Sequence, residues 1–249
     1  MESKFNLPTE TVELPSKGLL YPKNHPLSSG KVEMKYMTAK EEDILSNVNY
    51  IRKGTAIDRV LKSLLVTKVP FDEILIGDKN AIMIAARILS YGKDYKFEYR
   101  GEEHTVDLSE LKEKEVDYKL FENGKNEFEF KLPNTDNTVT FKVLSQKDES
   151  SIDREVAGRQ KIDKQGDTSG TTRLKHIITS VNGESDPKDI RDFVDNYMLA
   201  SDARALRNYY AEISPDVNLT FTFENADGGE EEAAIPVGVT FFWPDFQLP

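Results

Sequence analysis

The sequence predicts an α+β fold built from two tandem similar units, each made of a strand, helices and a β-hairpin. Three observations lead to this prediction: short segments in which apolar and polar residues alternate, apolar stripes at helical spacing, and a similarity between the two halves of the chain. Residues 31–42 align without gaps on residues 138–149, which lie 107 positions further along. Residues 75–99 align on residues 199–223, which lie 124 positions further along. Because such self-similarity is the signature of a repeated structural unit, we expect both halves to share one architecture.

The alignment divides the chain into three regions. Residues 1–30 are expected to form an extended N-terminal segment, residues 31–127 the first α+β repeat unit, and residues 128–249 the second unit. The offset between the units grows by 17 residues along the alignment, so the second unit carries an insertion. A polar run near residues 156–173 predicts a loop, and we expect the insertion to lie there. The alternative is a chance agreement between two strand-turn-helix units.

Each unit is predicted to open with a strand that leads into a helix. Thr38 with Glu41, and Ser145 with Asp148, have the spacing at which a hydroxyl and a carboxylate cap the free N–H groups of a helix start. Apolar residues alternate before each cap, as in a half-buried strand, at Val32, Met34 and Tyr36 and at Val139, Phe141 and Val143. An extended segment and a turn are expected upstream of each strand, since Leu14-Pro15 and Leu132-Pro133 occupy similar places.

Amphipathic helices are predicted next, because apolar residues recur at i, i+3, i+4, i+7 and i+8 in both units. Residues 81–89 are apolar nearly all round, which predicts a buried central helix, and their counterpart at 203–213 is more polar. Pro70 and Gly92 are plausible stops. The apolar stripes consist of Ile57, Val60, Leu61, Leu64 and Leu65 in the first unit and of Ile190, Phe193, Val194, Tyr197 and Met198 in the second.

Both units are predicted to end in β-hairpins. Aromatic residues alternate over 95–99 before Arg100-Gly101, and apolar residues alternate over 219–223 before a turn at 227–229. The second hairpin is expected to return along residues 234–244.

Composition limits the function. The 249 residues carry 33 Lys+Arg against 44 Asp+Glu, a formal net charge of −11, which argues against unspecific nucleic-acid binding. With no cysteine, disulfides and thiolate zinc sites are excluded. No apolar run approaches the roughly 20 residues of a membrane-spanning helix, and the first residues lack the apolar core of a signal peptide. We therefore expect a cytosolic protein that binds neither nucleic acid nor membrane.

No catalytic, cofactor-binding or metal-binding site is predicted. His25, His104 and His176 are far apart and match no metal-ligand spacing, and phosphate-binding loops and nucleophile motifs are absent. Carboxylate pairs such as Glu42 and Asp43 would serve acid–base chemistry only if burial shifted one pKa.

Two apolar segments are candidates for partner binding, because Trp and Phe dominate interface energetics. The alternative for both is a structural role, with the C-terminal residues forming a last strand in the core. The candidate residues are Leu14, Leu19, Leu20 and Tyr21 near the N terminus and Phe241, Phe242, Trp243 and Phe246 near the C terminus.

Several segments together resemble the baseplate hub assembly proteins of T4-like contractile-tailed phages. The resemblance covers residues 14–244 and lies in LPSKGLLYP near the start, KVEMKYMTAKEEDIL, RILSYGKDY, FKVLSQKDE, and the closing IPVGVTFFWP.

The resemblance implies a non-enzymatic assembly factor or chaperone, made in the host bacterial cytoplasm, that promotes assembly of the baseplate hub whether or not it stays in the virion. Its partners would be other hub proteins or the tape-measure protein, and self-association is a further option. The alternatives are a structural subunit of the mature hub and a carboxylate-based cell-wall hydrolase.

Some proteins of this kind bear C-x-x-C pairs in the two hairpins. The present sequence lacks them, so we expect no zinc and no other cofactor. We expect aromatic packing of Phe97, Tyr99, Phe221 and Phe223 to stabilise the hairpins instead.

Overall fold

The computed structural model describes residues 7–162, 168–224 and 228–242, and its helices and small antiparallel sheets confirm the α+β class. The strands are β1 (Thr9–Glu13), β2 (Lys31–Lys35), β3 (Asp94–Tyr99), β4 (Glu102–Asp107), β5 (Phe128–Lys131), β6 (Thr138–Phe141), β7 (Ile178–Val181), β8 (Thr220–Glu224) and β9 (Glu230–Ala234). The helices are α1 (Ala39–Leu45), α2 (Val48–Arg52), α3 (Ala56–Leu64), α4 (Ile76–Tyr91), α5 (Gln146–Ile162), α6 (Ser169–Ile177), α7 (Pro187–Asp192), α8 (Ala200–Ile213) and α9 (Val239–Phe242).

The sheets are small and antiparallel. β1 pairs with β2, so that Val12 lies opposite Val32. β5, β6 and β7 form a three-stranded sheet in that order, in which Phe128 lies opposite Phe141. β3 with β4, and β8 with β9, form the two predicted hairpins.

The N-terminal region differs from the extended segment expected for residues 1–30. Among residues 7–30, the described part of this region, only β1 is a strand, and it belongs to the first sheet through its pairing with β2. The chain then turns sharply, and a Cβ atom on Gly18 would lie 2.5 Å from the backbone nitrogen of Gly30. Gly18 also has a φ of 76°, a conformation that glycine adopts without strain. This close crossing of backbone segments folds the region onto the core.

Both predicted helix starts are confirmed. The backbone N–H and the hydroxyl of Thr38 donate to the Glu41 carboxylate over 2.9 and 2.6 Å. Ser145 donates in the same way to Asp148 over 3.0 and 2.8 Å. Each cap therefore joins a strand to the helix that follows it.

Helix α4 lies in the core and ends, as predicted, at Gly92. Ile82 and Ala86 are fully buried, and the guanidinium group of buried Arg87 donates to the carbonyl oxygens of Gly92 and Asp94. The hydrophobic cluster that surrounds this helix contains residues of both predicted units. The two halves thus share one core.

The polar loop expected near residues 156–173 is mostly helical in the described residues. Helix α5 continues to Ile162, and α6 begins at Ser169. The expectation relied on polarity, but Arg, Gln and Lys are good helix formers. An ion pair of 3.0 Å between Glu155 and Arg159, one helical turn apart, adds to the stability of α5.

The C-terminal segment also differs from the expected return strand over 234–244. The strand β9 ends at Ala234, and Pro236 interrupts further pairing because it has no N–H group. Phe241 and Phe242 are both fully buried, whereas successive residues of a strand point to opposite faces. The short helix α9 lets both rings reach the core.

Candidate functional site

The N-terminal candidates for partner binding lie mainly in the protein's own core. Leu14, Leu20 and Tyr21 are almost completely buried, and Leu19 is half-buried. The ring of Tyr21 stacks on His25 at a centroid distance of 4.7 Å. Their packing supports the structural alternative for the three buried side chains, which this structure does not present to a partner.

Tyr21 belongs to a buried polar network around Asp78 in the first turn of α4. The Asp78 carboxylate accepts hydrogen bonds from the Ser16 N–H at 2.9 Å, the Ser16 hydroxyl at 2.7 Å and the Tyr21 hydroxyl at 2.7 Å. The Tyr21 oxygen in turn accepts from the N–H of Leu75 at 2.9 Å. Burial raises the pKa of both Asp78 and Tyr21. The network fastens the N-terminal turn to α4.

Asp202 makes a corresponding set of contacts in the first turn of α8. It is fully buried and accepts from the Asn134 N–H at 2.9 Å, the Asn134 side-chain amide at 2.7 Å and the Thr135 hydroxyl at 2.8 Å. Asn134 follows Leu132-Pro133 just as Ser16 follows Leu14-Pro15. The sequence contained this signal, because the alignment of the two halves places Asp78 on Asp202.

The C-terminal candidates divide into buried residues and residues outside the described part. Phe241 packs edge-on against the ring of Tyr95 at a centroid distance of 4.9 Å, and against Phe242 at 5.3 Å. The Tyr95 hydroxyl donates to the carbonyl oxygen of Pro236 over 2.9 Å. Trp243 and Phe246 lie outside the described residues.

The two hairpins pack against each other through aromatic rings, as expected. Phe221 of β8 lies edge-on to Phe97 and Tyr99 of β3, at centroid distances of 4.8 and 5.4 Å. Phe223 lies 5.2 Å from Tyr99, and the imidazole of His104 lies 5.0 Å from Phe221. Aromatic contacts therefore join the ends of the two predicted units.

A short backbone contact joins the units on another side. The N–H of Ile76 donates to the carbonyl oxygen of Leu144 over 3.1 Å, and the N–H of Gln146 donates to that of Ile74 over 2.8 Å. Thus the starts of α4 and α5 pair as a minimal antiparallel bridge between Leu75 and Ser145.

Polar side chains reinforce this contact along a groove of about 670 Å³. The Lys79 ammonium lies 2.6 Å from Asp58 and donates to the Gln146 amide oxygen over 2.7 Å. The Gln146 amide donates back to Asp58 over 2.9 Å. These groups satisfy one another, so the groove holds a structural network of one cation, one anion and one amide.

The histidines occupy separate structural positions. The His25 side chain caps the short 3-10 helix that begins at Pro26, and His176 lies 3.2 Å from the Glu155 carboxylate. Among the described residues, no three or more His, Cys, Asp or Glu side chains are grouped as metal ligands would be. No helix in that part of the chain is long and apolar enough to span a membrane.

An exposed apolar surface lies where the π-helical turn over Phe193–Tyr197 meets α8. Tyr197 is 65% exposed, although it belongs to the apolar stripe predicted from helical spacing, and nearby Leu199 is 48% exposed. Arg204 and Arg207 extend from the next turns of α8 and are also exposed. Apolar side chains beside cations are suited to binding protein. Sequence reasoning missed this surface because the helical spacing continues through the π turn, which rotates Tyr197 outwards.

Comparison with known proteins identifies the family. The family model described as T4 bacteriophage base plate protein matches residues 8–243. A search of curated proteins and a search of solved structures each returned no match. Because the family match extends from the strand β1 to the last described helix, this chain belongs to the family of T4 bacteriophage base plate proteins.

Proposed function

We propose that the protein is a non-enzymatic assembly factor that promotes building of the baseplate hub through protein–protein contacts. The family match over residues 8–243 carries this proposal, because baseplate proteins act by joining other baseplate proteins. The segments that resemble hub assembly proteins narrow the role to the hub. The protein would act in the host cytoplasm, where the partners are made.

The buried carboxylates support binding rather than bond-breaking chemistry. Asp78, Asp202 and Glu41 are each occupied by donors of their own chain. A general acid or base needs a carboxylate that faces the substrate and exchanges its proton. These three groups instead fix a turn or a helix start.

The proposed partners are other hub subunits and the tape-measure protein. The net charge of −11 favours a partner with a basic surface, because complementary charge accelerates encounter. For contact we propose Leu19, which is half-buried, together with Trp243 and Phe246. The remaining candidate side chains are packed internally.

Pull-down with purified hub and tape-measure subunits tests this function. We expect capture of at least one of these subunits, and weaker capture by a Trp243→Ala/Phe246→Ala variant. Leu120→Ala is the matched control, since Leu120 is an exposed apolar residue outside the proposed contact. Failure to capture any hub or tape-measure subunit would contradict the proposal.

A structural subunit of the mature baseplate is the second candidate. The description of the family as base plate protein favours it. Mass spectrometry of purified phage particles separates the two roles. An assembly factor is depleted from finished particles, whereas a structural subunit is present in a fixed ratio to its neighbours.

A further inference from the structure

Among the residues that the structure describes, the contact between the starts of α4 and α5 is made once, although each of its two segments has an aligned counterpart in the other half of the chain. The segment Ile74–Ile76 corresponds to residues 198–200 at the offset of 124. The segment Leu144–Gln146 corresponds to residues 37–39 at the offset of 107. In the chain, the first unit contributes 74–76 and the second unit contributes 144–146. The corresponding segments, 198–200 of the second unit and 37–39 of the first, form no such bridge in the described residues.

The residues that form the contact are more deeply buried than their aligned counterparts. Ile74, Leu75 and Leu144 are buried by the contact within the chain. Leu199, the counterpart of Leu75, is 48% exposed, and Met37, the counterpart of Leu144, is only half-buried. Met198, the counterpart of Ile74, is likewise only partly buried, so the chain presents two complementary edges that are incompletely covered in the described structure, one on each unit.

The local conformations match as well. Leu75 has φ and ψ of −64° and 148°, and Leu199 has −64° and 144°. Thr38 is held extended by the same kind of capping contact that Ser145 makes. Leu199 therefore already has the backbone conformation of Leu75, and Thr38 makes the capping contact of Ser145.

Charge complementarity identifies the occupant. Asn80 and Met83 line the groove at the contact within the chain together with Glu149 and Ser150. Their counterparts are Arg204 and Arg207 on one edge and Glu42 and Asp43 on the other. A second copy that repeated the contact would bring two cations towards exposed Asp43 and half-buried Glu42, whose carboxylate also accepts from the Tyr91 hydroxyl over 2.9 Å.

We propose that the protein self-associates head to tail by repeating its internal contact between copies. The second-unit surface of one copy, formed by Met198, Leu199, Ala200, Arg204 and Arg207, binds the first-unit surface of the next, formed by Met37, Thr38, Ala39, Glu42 and Asp43. In the backbone bridge, the N–H of Ala200 donates to the carbonyl oxygen of Met37, and the N–H of Ala39 donates to that of Met198. Because the two surfaces differ, the association is heterologous and produces either a closed ring or an open filament.

Two variants block the two surfaces separately. Leu199→Asp puts a carboxylate into the apolar contact, and aspartate is a favourable residue at the helix N-cap that Leu199 occupies. Ala39→Pro/Asp43→Arg removes the donating N–H and reverses one charge, and proline suits the first position of α1. Both changes are at exposed sites, so each variant is expected to fold.

Sedimentation velocity of the purified full chain over a wide range of concentration tests the proposal, and it requires no phage partner. We expect the wild type to form oligomers. Each variant should associate more weakly, by a factor of about ten or more. A mixture of the two variants should form a dimer that does not grow further, because one competent surface remains on each copy. Leu120→Asp, at a position with the same 48% exposure as Leu199, should associate like the wild type.

A wild type that stays monomeric throughout would overturn the proposal, as would a Leu199→Asp variant that assembles like the wild type. Two blocked variants that fail to dimerise when mixed would also overturn it, because the interface would then not be head to tail. Circular dichroism of each variant verifies that the comparison concerns folded chains. The pull-down with hub subunits is a separate measurement, so failure of self-association leaves the proposed function to its own test.

Discussion

Asp78 and Asp202 occupy corresponding positions in the first turns of α4 and α8, and each receives the backbone N–H of the residue that follows a Leu-Pro pair. The N–H groups of Ser16 and Asn134 lie at the same distance, 2.9 Å, from the two carboxylates. In both cases a side chain of that residue donates to the same carboxylate. One buried aspartate in each half therefore attaches the turn after its Leu-Pro pair to a helix, α4 in the first half and α8 in the second, as a repeated unit would.

The other hydrogen-bond donors differ between the two networks, so replacing each aspartate with asparagine should change stability by different amounts. Asp78→Asn places an NH₂ group near two hydroxyl donors, those of Ser16 and Tyr21, and the latter already accepts the N–H of Leu75. We expect the free energy of unfolding to fall by about 2 kcal/mol, since buried donors are left unsatisfied.

In Asp202→Asn the retained carbonyl oxygen still accepts from Asn134, and the hydroxyl of Thr135 can turn to accept from the new NH₂. The loss should be about 1 kcal/mol or less. Urea unfolding followed by circular dichroism measures both variants, and equal losses would contradict the difference assigned to the two networks.

Gly77→Ala should destabilise the protein although alanine is the better helix former. A Cβ atom on Gly77 would lie 1.8 Å from the carbonyl oxygen of Pro215, so the backbone on one side must move. We expect a loss of about 2 kcal/mol, as for overpacked core sites. Gly158→Ala in α5 is the matched control, because its Cβ would meet no atom within 4 Å.

That control should gain up to about 1 kcal/mol from helix propensity. Urea unfolding of the two alanine variants provides the comparison. If both changed stability in the same direction, the close approach of α4 to Pro215 would not be the cause.

Stability towards acid should depend on Glu41. Burial alone would raise its pKa, but hydrogen bonds from Thr38 and Lys35 lower the pKa from 4.5 to about 2. Because the pKa is lower in the folded than in the unfolded chain, the ionised carboxylate stabilises the fold above about pH 4.5, and this contribution is lost as the pH falls towards 2.

Glu41→Gln removes the contribution at every pH. The variant should therefore be less stable than the wild type at neutral pH, and the difference should shrink between pH 4.5 and pH 2. Thermal or urea unfolding at a series of pH values measures it. A difference that stays constant across this range would assign the effect of Glu41 to packing rather than charge.

Phe221→Ala should separate the two hairpins. The ring of Phe221 contacts Phe97, Tyr99 and His104, so its removal leaves a cavity between β8 and β3. We expect the free energy of unfolding to fall by about 3 kcal/mol. Thr222→Ala on the exposed face of the same strand is the control and should change stability little, and near-ultraviolet circular dichroism reports the aromatic packing.

Local patterns predicted much of this fold. The capping pair of Thr38 and Glu41 marked the start of α1, and alternation with a glycine turn marked both hairpins. Those signals work because caps and turns depend on neighbours within a few residues. The described ends of the segment at 156–173 are helical although their polarity resembles a loop, because Arg, Gln and Lys favour a helix.

Contacts between residues far apart in the sequence were harder to predict from the sequence. The bridge between Leu75 and Ser145 joins residues that no local pattern connects, and the burial of Leu14 and Tyr21 depends on packing against α4. The apolar segments near both ends of the sequence suggested partner binding, but most of their described side chains are buried in the protein's own core. Leu199 is exposed whereas its aligned counterpart Leu75 is buried, and this difference has no local signal because both residues precede a helix in the same backbone conformation.

Charge reversal should test the pairing of individual residues in the proposed self-association. Arg204 and Asp43 are exposed and correspond to Asn80 and Ser150, which line the same groove within the chain. Arg204→Glu or Asp43→Lys alone should weaken association about fivefold, the effect of roughly 1 kcal/mol expected for a partly exposed ion pair. The double variant restores opposite charges across a head-to-tail contact, so it should associate nearly as well as the wild type.

High salt should reduce the differences in association between these variants and the wild type, because exposed ion pairs are screened. Sedimentation velocity of the four proteins at two salt concentrations measures these effects, and a double variant weaker than both single variants would show that these two residues do not meet.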